Sequence, residues 1–262
     1  MAENRIQIQS INNEKVKYLQ SLKDKKTRNR EKKFLIEGFH LVEEAAKTPY
    51  LQMVVTTDSS YIQSISFSSQ VQILMVTPTI IEKLSTTINP QQILGVVGMP
   101  SHSPKWLETL LQKAEIKLIL LDEINDPGNL GTIVRTASAF DYDGIVMSEN
   151  TVDLYNEKVI RATQGTLFKI PIVKMNLQEA VLLLKKYQVK CYGTCLQHAK
   201  SPQKIQKDKK IAICFGNEAR GISKSILDLM DERVKIEMKN QVESLNVAIA
   251  SAIIMYEWMN KE

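Results

Sequence analysis

LILLDEINDPGNLGTIVR, residues 118–135, decides how this chain folds. Leu118 to Leu121 is a short, wholly apolar run of the kind that forms a buried strand. Asp122 to Gly131 is polar and carries proline and glycine, and from Leu130 apolar residues return at helical spacing through Phe140. A buried strand, a turn and a helix in direct succession form the repeating unit of a parallel sheet covered on both faces. The same alternation continues outward, with strand-like runs at Ile145–Met147, Ile170–Val173, Val189–Leu196, Ile211–Phe215 and Val234–Ile236. Helical runs lie at Leu177–Tyr187 and Leu245–Trp258. In such sheets ligands bind beyond the carboxyl ends of the strands, so the loops that follow strands are where chemistry is expected.

Toward the N-terminus the runs are shorter: Phe34–Glu37, His40–Ala46, Met53–Thr56, Ile73–Val76, Thr79–Leu84 and Ile93–Val97 predict a small α/β domain. MPSHSPK, Met99 to Lys105, holds two prolines and two serines and reads as a connector. The expected division is therefore residues 1–99, a linker at 100–106, and residues 107–262. No repeat or low-complexity tract interrupts this pattern, and Lys200–Lys210 reads as a polar, lysine-rich surface loop.

The composition, 44% hydrophobic and 24% charged, suits a chain that buries a full core. No stretch approaches the roughly 18 apolar residues of a membrane span, and the first residues lack the apolar core of a signal peptide, so a cytoplasmic location is expected. Cys191, Cys195 and Cys214 sit in apolar runs and are expected to be buried thiols. With His198, Cys191 and Cys195 match no zinc spacing, so no metal is expected. The formal charge of +5 is unevenly spread. Between Lys15 and Lys33 nine basic residues face only Asp24 and Glu31, which leaves the remainder slightly acidic. A local surplus of this kind fits a surface that tracks phosphates, with Lys25, Lys26, Arg28, Arg30, Lys32 and Lys33 as candidate nucleic-acid contacts; a solvated helix face is the plainer alternative.

Three loops concentrate polar and glycine residues at strand ends. In the first, Asn129 is placed to cap the following helix and Arg135, about a turn and a half later, to reach back toward the strand ends, where a guanidinium can grip a phosphate. The second, Gly216 to Ser223 (GNEARGIS), lacks the lysine of a phosphate-binding P-loop, and no three-glycine dinucleotide fingerprint opens the first helix. A tight glycine turn remains, with Glu218 at its tip. The third runs from Ile236 to Asn246, where Ser244 or Asn246 can begin the last helix. That helix, SLNVAIASAIIMYEW, is apolar around much of its circumference and is read either as a core helix or as one shared with a second subunit.

Taken in order, these loops resemble the three motifs of the SpoU family of RNA ribose methyltransferases, within the knotted SPOUT superfamily. Asn129, Gly131 and Arg135 match the first motif, Gly216, Glu218 and Gly221 the second, and Ser244 to Val247 the third. FLIEGFHLVEEAAK, from Phe34, resembles the substrate-binding domain that precedes this catalytic domain, a small L30e-like α/β fold. The resemblance implies an α/β parallel sheet covered by helices with a C-terminal trefoil knot, an S-adenosylmethionine cofactor and a homodimer. It further implies methylation of a ribose 2′-hydroxyl, with 23S ribosomal RNA the expected target; transfer RNA, or a catalytically silent assembly factor, are the alternatives. The cofactor would be held by backbone at Gly216, Ile236 and Leu245, with Thr194 facing the adenine. Arg135, always protonated, would grip the target phosphate and stabilise alkoxide charge, with the phosphate or Glu218 accepting the proton. Asn129, Ser244 and Asn246 would orient the ribose and Arg135. Glu237 and Asn240 stand where the family has proline and glycine.

Overall fold

The computed structural model describes residues 5–100, 104–206, 208–239 and 244–259. Its elements are β1 (Arg5–Ile8), α1 (Glu14–Ser21), α2 (Lys25–Glu31), β2 (Lys33–Glu37), α3 (Phe39–Ala46), β3 (Leu51–Thr56), α4 (Ser59–Ser64), β4 (Gln72–Val76), α5 (Pro78–Leu84) and β5 (Ile93–Gly98). They continue with α6 (Pro104–Leu110), β6 (Ile116–Asp122), α7 (Pro127–Ala139), β7 (Gly144–Met147), α8 (Glu157–Thr163), β8 (Ile172–Lys174), α9 (Leu177–Lys186) and β9 (Lys190–Thr194). The last are β10 (Lys210–Gly216), α10 (Lys224–Leu227), β11 (Glu232–Val234) and α11 (Val247–Met259). Two compact units form: residues 1–101 with Tyr155–Phe168, and residues 102–154 with 169–262. Residues 101–103 of the expected linker lie outside the described residues.

The first unit is a five-stranded sheet in the order β1-β4-β3-β5-β2. Its strands β1, β4 and β3 are parallel, while β5 runs antiparallel to both β3 and β2. The basic stretch is part of this fold, because α1 buries Val16 and Leu19 at helical spacing and Leu22 follows them into a core with Leu74, Ile80, Ile81 and Leu84. Asn13 caps α1 by accepting from the Lys15 amide, and Asp24 caps α2 by accepting from the Thr27 amide. Arg28 departs from its expected role. Its guanidinium is buried and donates to the carbonyls of Leu22 (3.3 Å) and Lys23 (2.6 Å), closing the turn between the helices, whereas Lys25, Lys26, Arg30 and Lys32 are exposed.

A contribution from far along the chain completes this unit. In β2, Phe34 and Ile36 alternate inward. Phe34 is fully buried, with the Tyr155 ring 4.7 Å and the Phe168 ring 6.4 Å from its own. The intervening α8 buries Val159, Ile160 and Thr163. Sequence reading placed no helix there, since seven residues between a capping Asn156 and a left-handed Gln164 carry too short an apolar stripe to stand out.

The second unit is a six-stranded, wholly parallel sheet in the order β11-β9-β10-β6-β7-β8. All seven residues of β6 except Lys117 are buried, as a strand covered on both faces requires. Two strands shift from their predicted bounds. At β8, Pro171 has no amide hydrogen for the ladder and its carbonyl accepts from Ile145, so pairing begins one residue later. At β11 the chain pairs with β9 only as far as Val234; the Lys200 carbonyl then accepts from the Lys235 amide, and Ile236 leaves the sheet. The final helix α11 packs on α7 and presses Trp258 against Tyr192 of β9 at 4.7 Å between ring centroids. It buries Ala248, Ser251, Ile254, Met255 and Trp258, and exposes Ile249, Ile253 and Tyr256 on the opposite side. It is therefore half core and half surface in a single chain.

Removing a fully buried aromatic ring costs about 3–5 kcal/mol. Phe34→Ala is expected to lose that much stability in urea titration, and Phe168→Ala, whose ring is half-buried, less; equal losses would mean that the Tyr155–Phe168 segment does not cover β2 as described.

Candidate active site

The site is built where β6, β10 and the entry to α11 meet. Proline at the first position of α7 sets the start of that helix at Pro127, and Asp126, not Asn129, is its cap: the Asp126 carboxylate accepts from the Asn129 amide at 2.8 Å. The expected capping role of Asn129 is thereby corrected. Asn129 lies inside the first turn with its side chain available for other partners.

Those partners are Glu218 and Asn246. Glu218, from the turn after β10, accepts from the amides of Asn125 (3.2 Å) and Asp126 (3.0 Å) and from Asn129 Nδ2 (3.0 Å). Asn129 Oδ1 in turn accepts from Asn246 Nδ2 at 2.9 Å, and Asn246 Oδ1 caps α11 by accepting from the amides of Ala248 and Ile249. One carboxylate and two amide side chains thus join all three loops singled out in the sequence. Burial pushes the Glu218 carboxyl upward, but the bond from Asn129 and those from the loop amides outweigh it, and its pKa lies below the ordinary value. A carboxylate so stabilised is a weak proton acceptor.

The turn after β10 closes on itself. Asn217 and Gly221 exchange backbone hydrogen bonds at 3.0 and 2.8 Å, and Gly221 has φ +70°. A methyl group on Gly216 would run into the Ile222 amide and the Gly221 carbonyl, so only glycine fits there. The loops of β6 and β10 are further pinned by residues to which sequence reading gave no role. Buried Asp122 accepts from the Ser223 amide at 2.7 Å, Asn217 Nδ2 donates to the Glu123 carbonyl at 2.9 Å, and Arg220 pairs with Glu123 at 2.6 Å. Asn217 and Arg220 flank Glu218 and Gly221, and Asp122 and Glu123 open the first polar loop, so membership of these loops was the available signal.

The expected cofactor positions occupy neighbouring strand ends. Thr194 ends β9 and donates from Oγ1 to the Cys214 carbonyl at 2.9 Å, Gly216 ends the adjacent β10, and half-buried Ile236 follows β11 on the other side of β9. Leu245 is 37% exposed at the approach to α11. Backbone donors and acceptors at adjacent carboxyl ends, with apolar side chains between them, fit an adenosine and an amino-acid moiety. Ser244 is exposed. Glu237 is exposed and pairs with Lys204 at 3.3 Å, while Asn240 falls outside the described residues. Cys191 and Cys214 are buried, and burial pushes the Cys191 thiol up to about 12. Arg135 stands apart from the hydrogen-bonded cluster. It lies on the exposed stripe of α7 with Gly128, Thr132 and Ala139, and makes no hydrogen bond or ion pair with any described residue.

Residues 117–256 match the SpoU rRNA Methylase family, and residues 13–95 match the MRM3-like substrate binding domain. The chain belongs to the SpoU rRNA methylase family and is an S-adenosylmethionine-dependent RNA methyltransferase. It is 39% identical, over 95% of its length and 98% of the relative's, to the 23S rRNA (guanosine(2553)-2′-O)-methyltransferase RlmP of Bacillus subtilis. An uncharacterized tRNA/rRNA methyltransferase of Synechocystis is 30% identical over 95% of this chain and 92% of its own. The structure of an rRNA methyltransferase from Sinorhizobium meliloti with bound AdoMet superposes with a TM-score of 0.85 at 28% identity, covering 97% of each chain.

Because the folded Glu218 carboxyl has a lowered pKa, its bonds hold the loops above the ordinary glutamate value and are lost as the pH falls through the lowered one. The amide NMR signals of Asn125 and Asp126 are therefore expected to titrate together with a midpoint below that of an ordinary glutamate; a midpoint at or above the ordinary one contradicts the network.

Proposed function

We propose that this protein methylates a ribose 2′-hydroxyl in 23S ribosomal RNA, with Arg135 as the catalytic residue and Asn129, Glu218, Ser244 and Asn246 as positioning residues. The observation that carries this reading is the single hydrogen-bonded path Glu218–Asn129–Asn246, which ties the three motif loops into one frame. The 39% identity to a 23S rRNA 2′-O-methyltransferase over nearly the whole of both chains favours ribosomal over transfer RNA.

S-adenosylmethionine supplies an electrophilic methyl group at its sulfonium. Gly216 at the end of β10, Ile236 just past β11 and Leu245 before α11 would hold it through backbone groups, with Thr194 facing the adenine and the loop of Asn129 left to receive the ribose. Arg135, with no described partner inside the chain, is available to a phosphate and to the charge that develops on the 2′-oxygen as its proton leaves. Glu218, its oxygens taken up by Asn125, Asp126 and Asn129, braces the loops, and the departing proton goes to Glu218 or to a phosphate oxygen of the substrate.

The reading includes a homodimer, supported by the exposed apolar stripe of Ile249, Ile253 and Tyr256 on α11. It also includes the trefoil knot: α11 returns from the sheet edge at β11 to α7 and β10, the passage that a threaded C-terminal segment makes. RNA contact by Lys25, Lys26, Arg30, Lys32 and Lys33 and a cytoplasmic location complete it, and no helix among the described residues is long and apolar enough to cross a membrane.

Arg135→Ala is expected to lower turnover about 10²–10³-fold with S-adenosylmethionine affinity by calorimetry unchanged; full activity would rule the role out, as would the persistence of every 23S 2′-O-methyl group in cells lacking the protein. Ile253→Glu is expected to convert the dimer to a monomer in analytical ultracentrifugation, and a variant that still dimerises would place the interface elsewhere.

A further inference from the structure

Two hydrogen-bonded lines cross the carboxyl end of the parallel sheet, and Glu218–Asn129–Asn246 is only the first of them. The second runs through Glu123, the residue that follows β6. Its carboxylate accepts from Arg220 Nη2 at 2.6 Å on one oxygen and from Asn150 Nδ2 at 2.9 Å on the other. Arg220 belongs to the turn after β10 and Asn150 to the loop after β7, so this line spans three adjacent strand ends, those of β10, β6 and β7. The Glu123 backbone is tied in as well: its amide donates to Ser148 Oγ and its carbonyl accepts from Asn217 Nδ2, both at 2.9 Å.

Glu123 holds this place under strain. Its φ of +58° is left-handed, a conformation that glycine adopts freely and glutamate does not. The pair with Arg220 offsets little of that strain, because the arginine side chain is 71% exposed and ion pairs in water contribute little to stability. A strained backbone that folding does not account for points to the work of the site.

Arg220 is the group this arrangement serves. It stands two residues from Glu218 in the same closed turn, where its amide donates to Asn217 Oδ1 at 3.2 Å. Glu123 takes one of the five guanidinium hydrogens, and among the described residues the guanidinium has no other partner. A guanidinium pinned at one corner and open at the rest loses little side-chain freedom on meeting an anion. Two anions come to such a site, the phosphates of RNA and the carboxylate of S-adenosylmethionine, and the topology separates them. The positions assigned to the cofactor, Thr194, Gly216 and Ile236, lie along β9, β10 and β11, whereas Glu123 and Asn150 lead the other way, through β6 to β7.

We propose that Arg220 is a substrate contact that holds a phosphate beside the target nucleotide, and that Glu123 is the positioning residue that aims it. The proposal rests on the ribose-methylation reading above, in which Arg135 grips a phosphate from α7; Arg220 adds a second grip from the turn after β10.

The test measures methyl transfer by the full chain to large ribosomal subunits and to naked rRNA, both from cells lacking the protein. Arg220→Gln is expected to raise KM for RNA roughly tenfold, the loss of one charge-assisted contact, with kcat and S-adenosylmethionine affinity by calorimetry unchanged. The dependence of log kcat/KM on log salt is expected to flatten by roughly 0.7–0.9. Glu123→Gly, which frees the strained backbone, is expected to raise KM about as much with the melting temperature unchanged, and the double variant no further than either alone, because the carboxylate acts through Arg220. Losses that multiply in the double variant, or an unmoved KM in Glu123→Gly, would overturn the positioning role. An unmoved KM in Arg220→Gln would overturn the contact itself, and weakened S-adenosylmethionine binding in that variant would assign the guanidinium to the cofactor carboxylate instead. A parent protein that methylates no ribose in either substrate would sink the underlying reading as well.

Discussion

The second unit depends on the Glu218 carboxylate receiving three hydrogen bonds from the loop that follows β6. Loops beyond strand ends have no ladder to hold them, and two glycine-bearing turns and a helix entry would otherwise move independently. A charged acceptor shared by two backbone amides and an asparagine makes bonds stronger than neutral ones, and each bond fixes the next. Asn129 is the relay, spending its donor on Glu218 and its acceptor on Asn246, which leaves Asn246 oriented to cap α11. The last helix is thus anchored in register with the catalytic loops.

This arrangement separates two kinds of residue within the three motifs. Asn129, Glu218 and Asn246 are consumed by each other and define a shape. Arg135 has no such partner among the described residues and is exposed on α7, which is why the proposed role gives it the substrate phosphate. Ile249, Ile253 and Tyr256 leave α11 with an exposed apolar stripe, the surface on which the proposed dimer rests.

The first unit shows why contiguous domains are a simplification. Phe34 needs a cover that residues 1–101 do not supply, and Tyr155 and Phe168 provide it from an excursion between β7 and β8. The same excursion brings Arg161 beside Thr86. The basic surface is consequently larger than the run from Lys15 to Lys33 and also smaller, since Arg28 turns inward to close a helical turn.

From the sequence alone one could read the parallel sheet, the strand-end location of the site and the three loops, because apolar runs of strand length, glycine turns and helical periodicity are local signals. The resemblance of those loops to a family's motifs supplied the cofactor and the chemistry. Tertiary structure decided which polar side chains meet. Asn129 looked like a cap because it precedes an apolar helical run, but Pro127 moved the helix start three residues earlier and freed its amide for Glu218, 89 residues away. Hydrogen-bond partnership across such separations depends on where strands end side by side, and no local pattern encodes that distance.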